Sequence, residues 1–218
     1  MLSVSGKNWE EIKINNRIVE QLKNEKKFSE IVSKLIISNN FDELEINTIK
    51  EKIPFQNPFK NSDDFIQAST ILEDSINNND KIIILGDYDV DGCVSTSLLV
   101  NFLNELNYKF FSYYIPNRFN DGYGAGLDLV KNLEQQKPNL IILVDCGSTS
   151  NSSINYLKSK NIKTIIIDHH EIYKPYPKAN CIINPKKITD YSSYNYVCAS
   201  FLVYFFIDKF IKKKKIKD

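Results

Sequence analysis

As far as about residue 78 the apolar positions of the chain fall at helical spacing, and beyond Lys81 they bunch into short runs. Ile12, Ile18, Val19 and Leu22 share one helical face, as do Phe28, Ile31, Val32, Leu35 and Ile36. FDELEINTIK, 41–50, predicts a weaker, shorter helix, and IPFQNPF, 53–59, with two prolines, a connecting loop. NSDDFIQASTILEDSINNND predicts a helix with Ser62 as N-cap, Asp63 and Asp64 in its first turn, and turn residues 77–80 at its end. The later apolar runs are Ile82–Leu85, Phe110–Ile115, Leu140–Val144, Thr164–Ile167 and Cys181–Ile183. Between them lie the helical patterns VSTSLLVNFLNEL, LDLVKNLEQQ and SSINYLKSKN, and the chain closes on an apolar helix that runs into a lysine cluster. Near-continuous apolar strands alternating with helices predict βαβ units and a parallel sheet covered on both faces. Two parts are therefore expected: a helical N-terminal segment, 1–79, and an α/β domain, 80–218, with a Rossmann-like parallel sheet.

The residues directly behind the strands carry the candidate chemistry. Behind the first run come Asp87, Asp89 and Asp91; behind Leu140–Val144 comes DCGSTS, starting at Asp145; behind Thr164–Ile167 come Asp168, His169 and His170, which include both histidines of the chain. In a parallel sheet all strand C-termini share one edge, where open α/β folds bind ligands. Three segments thus deliver five aspartates and two histidines to one rim. Any one aspartate at a strand end reads as an N-cap or turn former, and a lone histidine as structural. Together they repel one another, and no lysine or arginine within the segments offsets them. A divalent cation would. Oxygen-rich ligation with one or two imidazoles suits Mn²⁺ or Mg²⁺. Two such ions, sharing a carboxylate for which Asp145 is the central candidate, serve phosphoryl chemistry.

The stretch YYIPNRFNDGYGAGLDL adds Arg118 and Asn117 at the same rim, with Gly122, Gly124 and Gly126 before a helix. A plain loop and a phosphate clamp both fit the glycines alone; the arginine favours the clamp. Gly147 and Ser148 open GSTS, which either caps the next helix or touches phosphate.

Composition narrows the classes. A net charge of +1 excludes a global basic field as the basis of nucleic-acid binding. Cys93, Cys146, Cys181 and Cys198 show no CxxC pairing, so reduced thiols are expected, with Cys93 and Cys146 as packing residues. The opening MLSVSGKNWEEIKINN holds no apolar signal-type run, and no stretch reaches the ~20 apolar residues of a membrane span. A cytoplasmic protein without membrane contact is expected.

The ordered set GDYDVDG, PNRFNDGYG, VDCGST and DHH, with INPKK after it, resembles the DHH phosphoesterases, most closely their RecJ-type branch of single-strand-specific DNA exonucleases. The resemblance runs from about Lys81 to the last helix. It implies a two-metal phosphodiester hydrolase using Mn²⁺ or Mg²⁺ and degrading single-stranded DNA from its 5′ end, in repair and recombination. By motif, Asp89, Asp91, Asp145 and His169 would be metal ligands, with Asp145 bridging. His170 would face the scissile phosphate, Asp87 and Asp168 would support, and Arg118 would hold substrate phosphate. The sequence departs from the family in two places. Leu85 stands where some relatives carry a further histidine, and no GTVAD-like segment with another metal aspartate follows the last helix. The second (DHHA1) and OB-fold domains are not in the sequence either. The expectation is a first lobe: active alone, or completed by a second lobe in trans. The alternatives are an impaired fragment or binding module, and an enzyme for short oligonucleotides or cyclic dinucleotides.

Overall fold

The computed structural model describes residues 4–8, 10, 12–49, 57–59, 61–187 and 194–214. Lys215 of the lysine cluster and most of the IPFQNPF loop lie outside them. The chain divides into two compact units, 1–56 and 57–218.

Among the described residues the first unit holds three helices, α1 (Asn16–Lys26), α2 (Glu30–Ser38) and α3 (Glu43–Thr48). Each starts on a residue whose side chain accepts a backbone N–H: Asn15, Ser29 and Asp42. Asp42 and Glu45 form a reciprocal capping box, which explains why so short a segment is helical.

The second unit is built on β1 (Ile82–Leu85), β2 (Phe111–Tyr114), β3 (Leu140–Val144), β4 (Lys163–Ile167) and β5 (Cys181–Ile183). They form one sheet in the order β2-β1-β3-β4-β5, parallel throughout. The expected parallel-sheet α/β fold is the one observed. Alternate residues of each buried strand feed opposite faces. Ile82, Ile84, Leu140, Ile142, Ile165 and Ile167 pack with Leu72, Leu99, Leu103, Phe205 and Phe206 on one side. Ile83, Leu85, Ile141, Leu143 and Ile166 pack with Val130, Leu133, Ile154 and Leu157 on the other.

The first face is covered by α4 (Asp63–Asn77), α5 (Val90–Glu105) and α8 (Ala199–Lys214), the second by α6 (Leu127–Glu134) and α7 (Asn151–Ser159). The helix α4, which pattern alone groups with the leading helices, packs against α8 and β5. Ser62 stands at its N-cap but makes no capping hydrogen bond with its side chain. Among the described residues no helix is long and apolar enough to cross a membrane.

The strand order reverses direction between β1 and β3, since the chain leaves β1 for β2 on one flank and then builds outward on the other. At such a switch point the loops after the two central strands part and leave a crevice. Those loops begin at Gly86 and Asp145.

Candidate metal centre

Every segment that the sequence singled out at a strand end reaches this crevice, but the individual side chains do different things. Asp87 follows β1 and is 1% exposed. Its Oδ1 accepts the N–H of Tyr88 at 2.8 Å. Burial, with the Asp89 charge adding to it, raises its carboxyl above the ordinary range. Asp89 is exposed and is the N-cap of α5, accepting from Gly92 N at 2.9 Å. Asp91, in the first turn, turns to α8: its two oxygens accept Ala199 N at 2.7 Å and Ser200 N at 2.8 Å. Burial would raise Asp91, yet the Ser200 hydroxyl and these N–H groups outweigh it and lower the carboxyl.

The helix α5 starts so close to Asp87 that only glycine fits at position 92. A Cβ there would lie 2.5 Å from the Asp87 carbonyl oxygen and 2.6 Å from its nitrogen. Gly92→Ala should cost about 1–3 kcal/mol through the forced backbone shift. Urea unfolding would show it, and a change within experimental error would mean that the loop yields freely.

Asp145 is the first residue past β3, at φ 59°, a left-handed conformation that aspartate tolerates better than most residues. It is wholly buried, and neither carboxylate oxygen accepts a hydrogen bond. His169 Nε2 lies 3.3 Å from Asp145 Oδ1 and 3.5 Å from Asp91 Oδ2. Burial pushes the Asp145 carboxyl up to about 6 against the pull of His169, and the Asp91 and Asp89 charges add to the rise. His169 is raised in turn, chiefly by Asp145.

Asp168 is as buried as Asp145 but has every partner that Asp145 lacks. It accepts Ser148 N at 3.0 Å, His169 N at 2.8 Å, His170 N at 3.2 Å and His170 Nδ1 at 2.8 Å. Burial works against its charge, but the His170 ring and Ser148 prevail and hold the carboxyl at about 2. His170 is raised mainly by that same bond, and its Nε2 lies 3.1 Å from the Tyr123 hydroxyl.

Among the described residues, two groupings could hold an ion: Asp87, Asp89 and Asp145, and Asp145, His169 and His170. Asp145 belongs to both. The residues fit divalent cations on an observation independent of motif. A buried carboxylate met only by one imidazole at 3.3 Å remains costly unless a further positive charge meets it. Among the described residues, no lysine or arginine pairs with Asp87, Asp89, Asp91 or Asp145.

The loop after β2 flanks this centre. Asp121 Oδ2 accepts the Tyr114 hydroxyl and Asn117 N, both at 2.8 Å. Asn117 Oδ1 is engaged by Phe119 N at 2.9 Å and Asn120 N at 3.3 Å, so its side chain shapes the turn. Arg118 is exposed, with its guanidinium 5.5 Å from the centre of the Tyr88 ring. Tyr88 meets Tyr123 edge to face, and Tyr123 meets His170 in the same way. Gly122 and Gly124 both have positive φ. Gly147, at φ 109°, leaves space in which a Cβ would press on Leu143 and Ile166. Ser148 is buried rather than presented to solvent, its N–H on Asp168 and its Oγ accepting from Asn184 Nδ2 at 2.8 Å. Of the two cysteines expected as packing residues, Cys146 is buried and Cys93 is exposed; all four thiols are free.

Sequence reasoning gave Asn184, Tyr88 and Tyr123 no individual role, although the quoted motifs contain all three. An asparagine behind a strand reads as a turn former, and tyrosines among glycines read as loop. Only the distance between their loops in the folded chain gives them partners.

Residues 81–218 match the DHH family, N-terminal domain, and the chain belongs to that family. Its DHH domain is of the RecJ type. The single-stranded-DNA-specific exonuclease RecJ of Escherichia coli is 36% identical over 119 residues, which is 55% of this chain and 21% of the relative. That of Bacillus subtilis is 29% identical over 182 residues, 82% of this chain and 23% of the relative. The chain thus spans less than a quarter of the length of these relatives. The fold matches a crystal structure of exonuclease RecJ bound to manganese with a TM-score of 0.65, at 24% identity over 70% of this chain and 38% of that one. RecJ from Thermus thermophilus in complex with Mn²⁺ matches at 0.67, with 16% identity over 94% of this chain and 28% of that one.

Proposed function

We propose that the rim of the 57–218 unit is a metal-dependent phosphodiester-hydrolase centre acting on single-stranded DNA with Mn²⁺ or Mg²⁺. The observation that carries the reading is Asp145, buried, met only by the His169 ring at 3.3 Å and shared by two ligand groupings. One ion would be held by Asp87, Asp89 and Asp145. The other would be held by Asp145 and His169, with Asp91 Oδ2 close by while Asp91 also fastens α8. When bound, the ions activate water and offset charge on the phosphate. Asp168 fixes the His170 ring through Nδ1, and substrate would reach Nε2 in place of the Tyr123 hydroxyl that now lies 3.1 Å from it. Arg118, together with the backbone of Gly122 and Gly124, clamps phosphate, and Asn117 holds that loop in shape. Ser148 acts from inside the fold by bracing Asp168, and Gly147 gives the turn that places it. The relatives' substrate supports single-stranded DNA over a dinucleotide.

The test is hydrolysis of 5′-labelled single-stranded DNA by the full chain with Mn²⁺, with EDTA, and with a dinucleotide or duplex in place of the single strand. Cleavage that needs Mn²⁺ and prefers the single strand is expected. A chain that binds Mn²⁺ at the rim and cleaves nothing would refute the catalytic reading and leave a binding module. Arg118→Ala should raise KM for DNA about tenfold or more, the loss of one charged hydrogen bond to phosphate, while Mn²⁺ affinity holds. An unchanged KM would remove Arg118 from the clamp.

A further inference from the structure

Past β5 the chain turns on Asn184, which is 2% exposed and has no place in the hydrolase reading. All of its polar capacity is spent inside the rim. Its Oδ1 accepts Lys186 N at 2.8 Å and closes its own turn. Its Nδ2 donates to Ser148 Oγ at 2.8 Å and to the His170 carbonyl oxygen at 3.0 Å. The amide orientation is set by the partners, since a backbone N–H needs the oxygen and a carbonyl needs the NH₂. One side chain therefore ties together the loops that follow β3, β4 and β5.

These bonds close a circuit. Asn184 holds Ser148, Ser148 N donates to Asp168 Oδ2, Asp168 Oδ1 accepts His170 Nδ1, and the His170 carbonyl returns to Asn184. His170 is gripped at its ring and at its backbone by two residues, both almost wholly buried. Neither an acid nor an aliphatic side chain satisfies the position. Aspartate keeps the acceptor for Lys186 but has no proton for the carbonyl, and an aliphatic side chain leaves Lys186 N, Ser148 and the carbonyl with no partner.

We propose that Asn184 is a positioning residue of the centre, which sets the His170 ring by holding the His170 carbonyl and the serine that braces Asp168. The proposal rests on the reading in which His170 faces the scissile phosphate. It acts through His170 and predicts no effect on the ion positions that Asp87, Asp89, Asp145 and His169 define.

The chain contains two histidines, so ring N–H signals can be assigned to each in ¹⁵N-labelled full-length protein without any metal. The wild type, Asn184→Ala and the near-isosteric Asn184→Asp would be compared by NMR, thermal unfolding, Mn²⁺ titration and hydrolysis of single-stranded DNA. In the wild type the His170 Nδ1–H, bonded to Asp168, should exchange slowly. In both variants it should be lost to exchange while the His169 resonances and Mn²⁺ affinity hold. Turnover should fall about 10–100-fold in kcat with KM unchanged, the usual cost of losing a partner behind an active side chain.

A His170 signal that persists in the variants overturns the proposal, as does equal disturbance of both histidines or failure of both variants to fold. Each of the latter two makes Asn184 a general support of the fold. If the wild-type chain turns over no DNA, the hydrolase reading fails by itself, and the His170 signal alone decides the positioning role.

Discussion

Asp145→Asn should abolish metal-dependent hydrolysis and, without metal, make the protein more stable at neutral pH. The first half comes from the double membership of Asp145. Losing the charge weakens both ion positions at once, and several kcal/mol of transition-state stabilisation corresponds to roughly 10³-fold or more in rate. The second half comes from burial, which the His169 ring at 3.3 Å only partly offsets, so the ionised carboxylate is a liability in the absence of a cation. The carboxyl is raised to about 6, above its unfolded value near 4, so the folded state disfavours the charge. The penalty is fully present above pH 6 and disappears as pH falls to about 4, and it is on the order of 3 kcal/mol. Asparagine removes the charge, suits the left-handed backbone, and keeps an imperfectly paired amide, leaving a net gain of about 1 kcal/mol at pH 7. Urea unfolding in EDTA at pH 7 and pH 4.5 checks this. The variant should be ahead at the higher pH and lose that lead at the lower. A variant destabilised equally at both would show that Asp145 is a structural anchor and not a cation-dependent one.

That opposition explains what the sequence could and could not reveal. Strands β1, β3 and β5 are continuous apolar runs buried on both faces, and their boundaries fall where the pattern ends. The pattern overreaches at β2, where Phe110 and Ile115 are apolar but lie outside the strand. This is an edge strand, partly exposed along its length, so apolar residues mark its ends poorly. The three rim segments were legible because a parallel sheet must bring strand ends together. The division of labour among their aspartates was not. Asp91 caps a helix that begins 108 residues later, a pairing that local pattern cannot register. Likewise nothing in the sequence separates Asp145 from Asp168, each standing directly behind an apolar strand. One meets only the His169 ring, at 3.3 Å, whereas the other meets four donors. Environment alone sends their carboxyls in opposite directions.

Asp168→Ala should be among the more destabilising single changes at the rim, by about 1–3 kcal/mol, because it strands the buried Ser148 N and removes the acceptor of three part-buried donors. Ser148 N, His169 N, His170 N and His170 Nδ1 all lose their acceptor together. The pH dependence carries the opposite sign to that of Asp145. Asp168 is held at about 2, below its ordinary value, so its stabilisation is fully present above about pH 4 and is lost as pH falls through 2. The shift corresponds to roughly 2.5 kcal/mol. Between pH 7 and 4 the metal-free wild type should therefore gain stability from Asp145, and below pH 4 it should lose it from Asp168. The Asp145→Asn variant should keep only the acid limb, and Asp168→Ala only the neutral one. Denaturation curves from pH 7 to pH 2 for the three proteins would separate the limbs. Loss of both limbs in either single variant would mean that the two carboxylates titrate as one coupled unit. The centre would then not consist of a firmly charged brace beside a cation-seeking ligand.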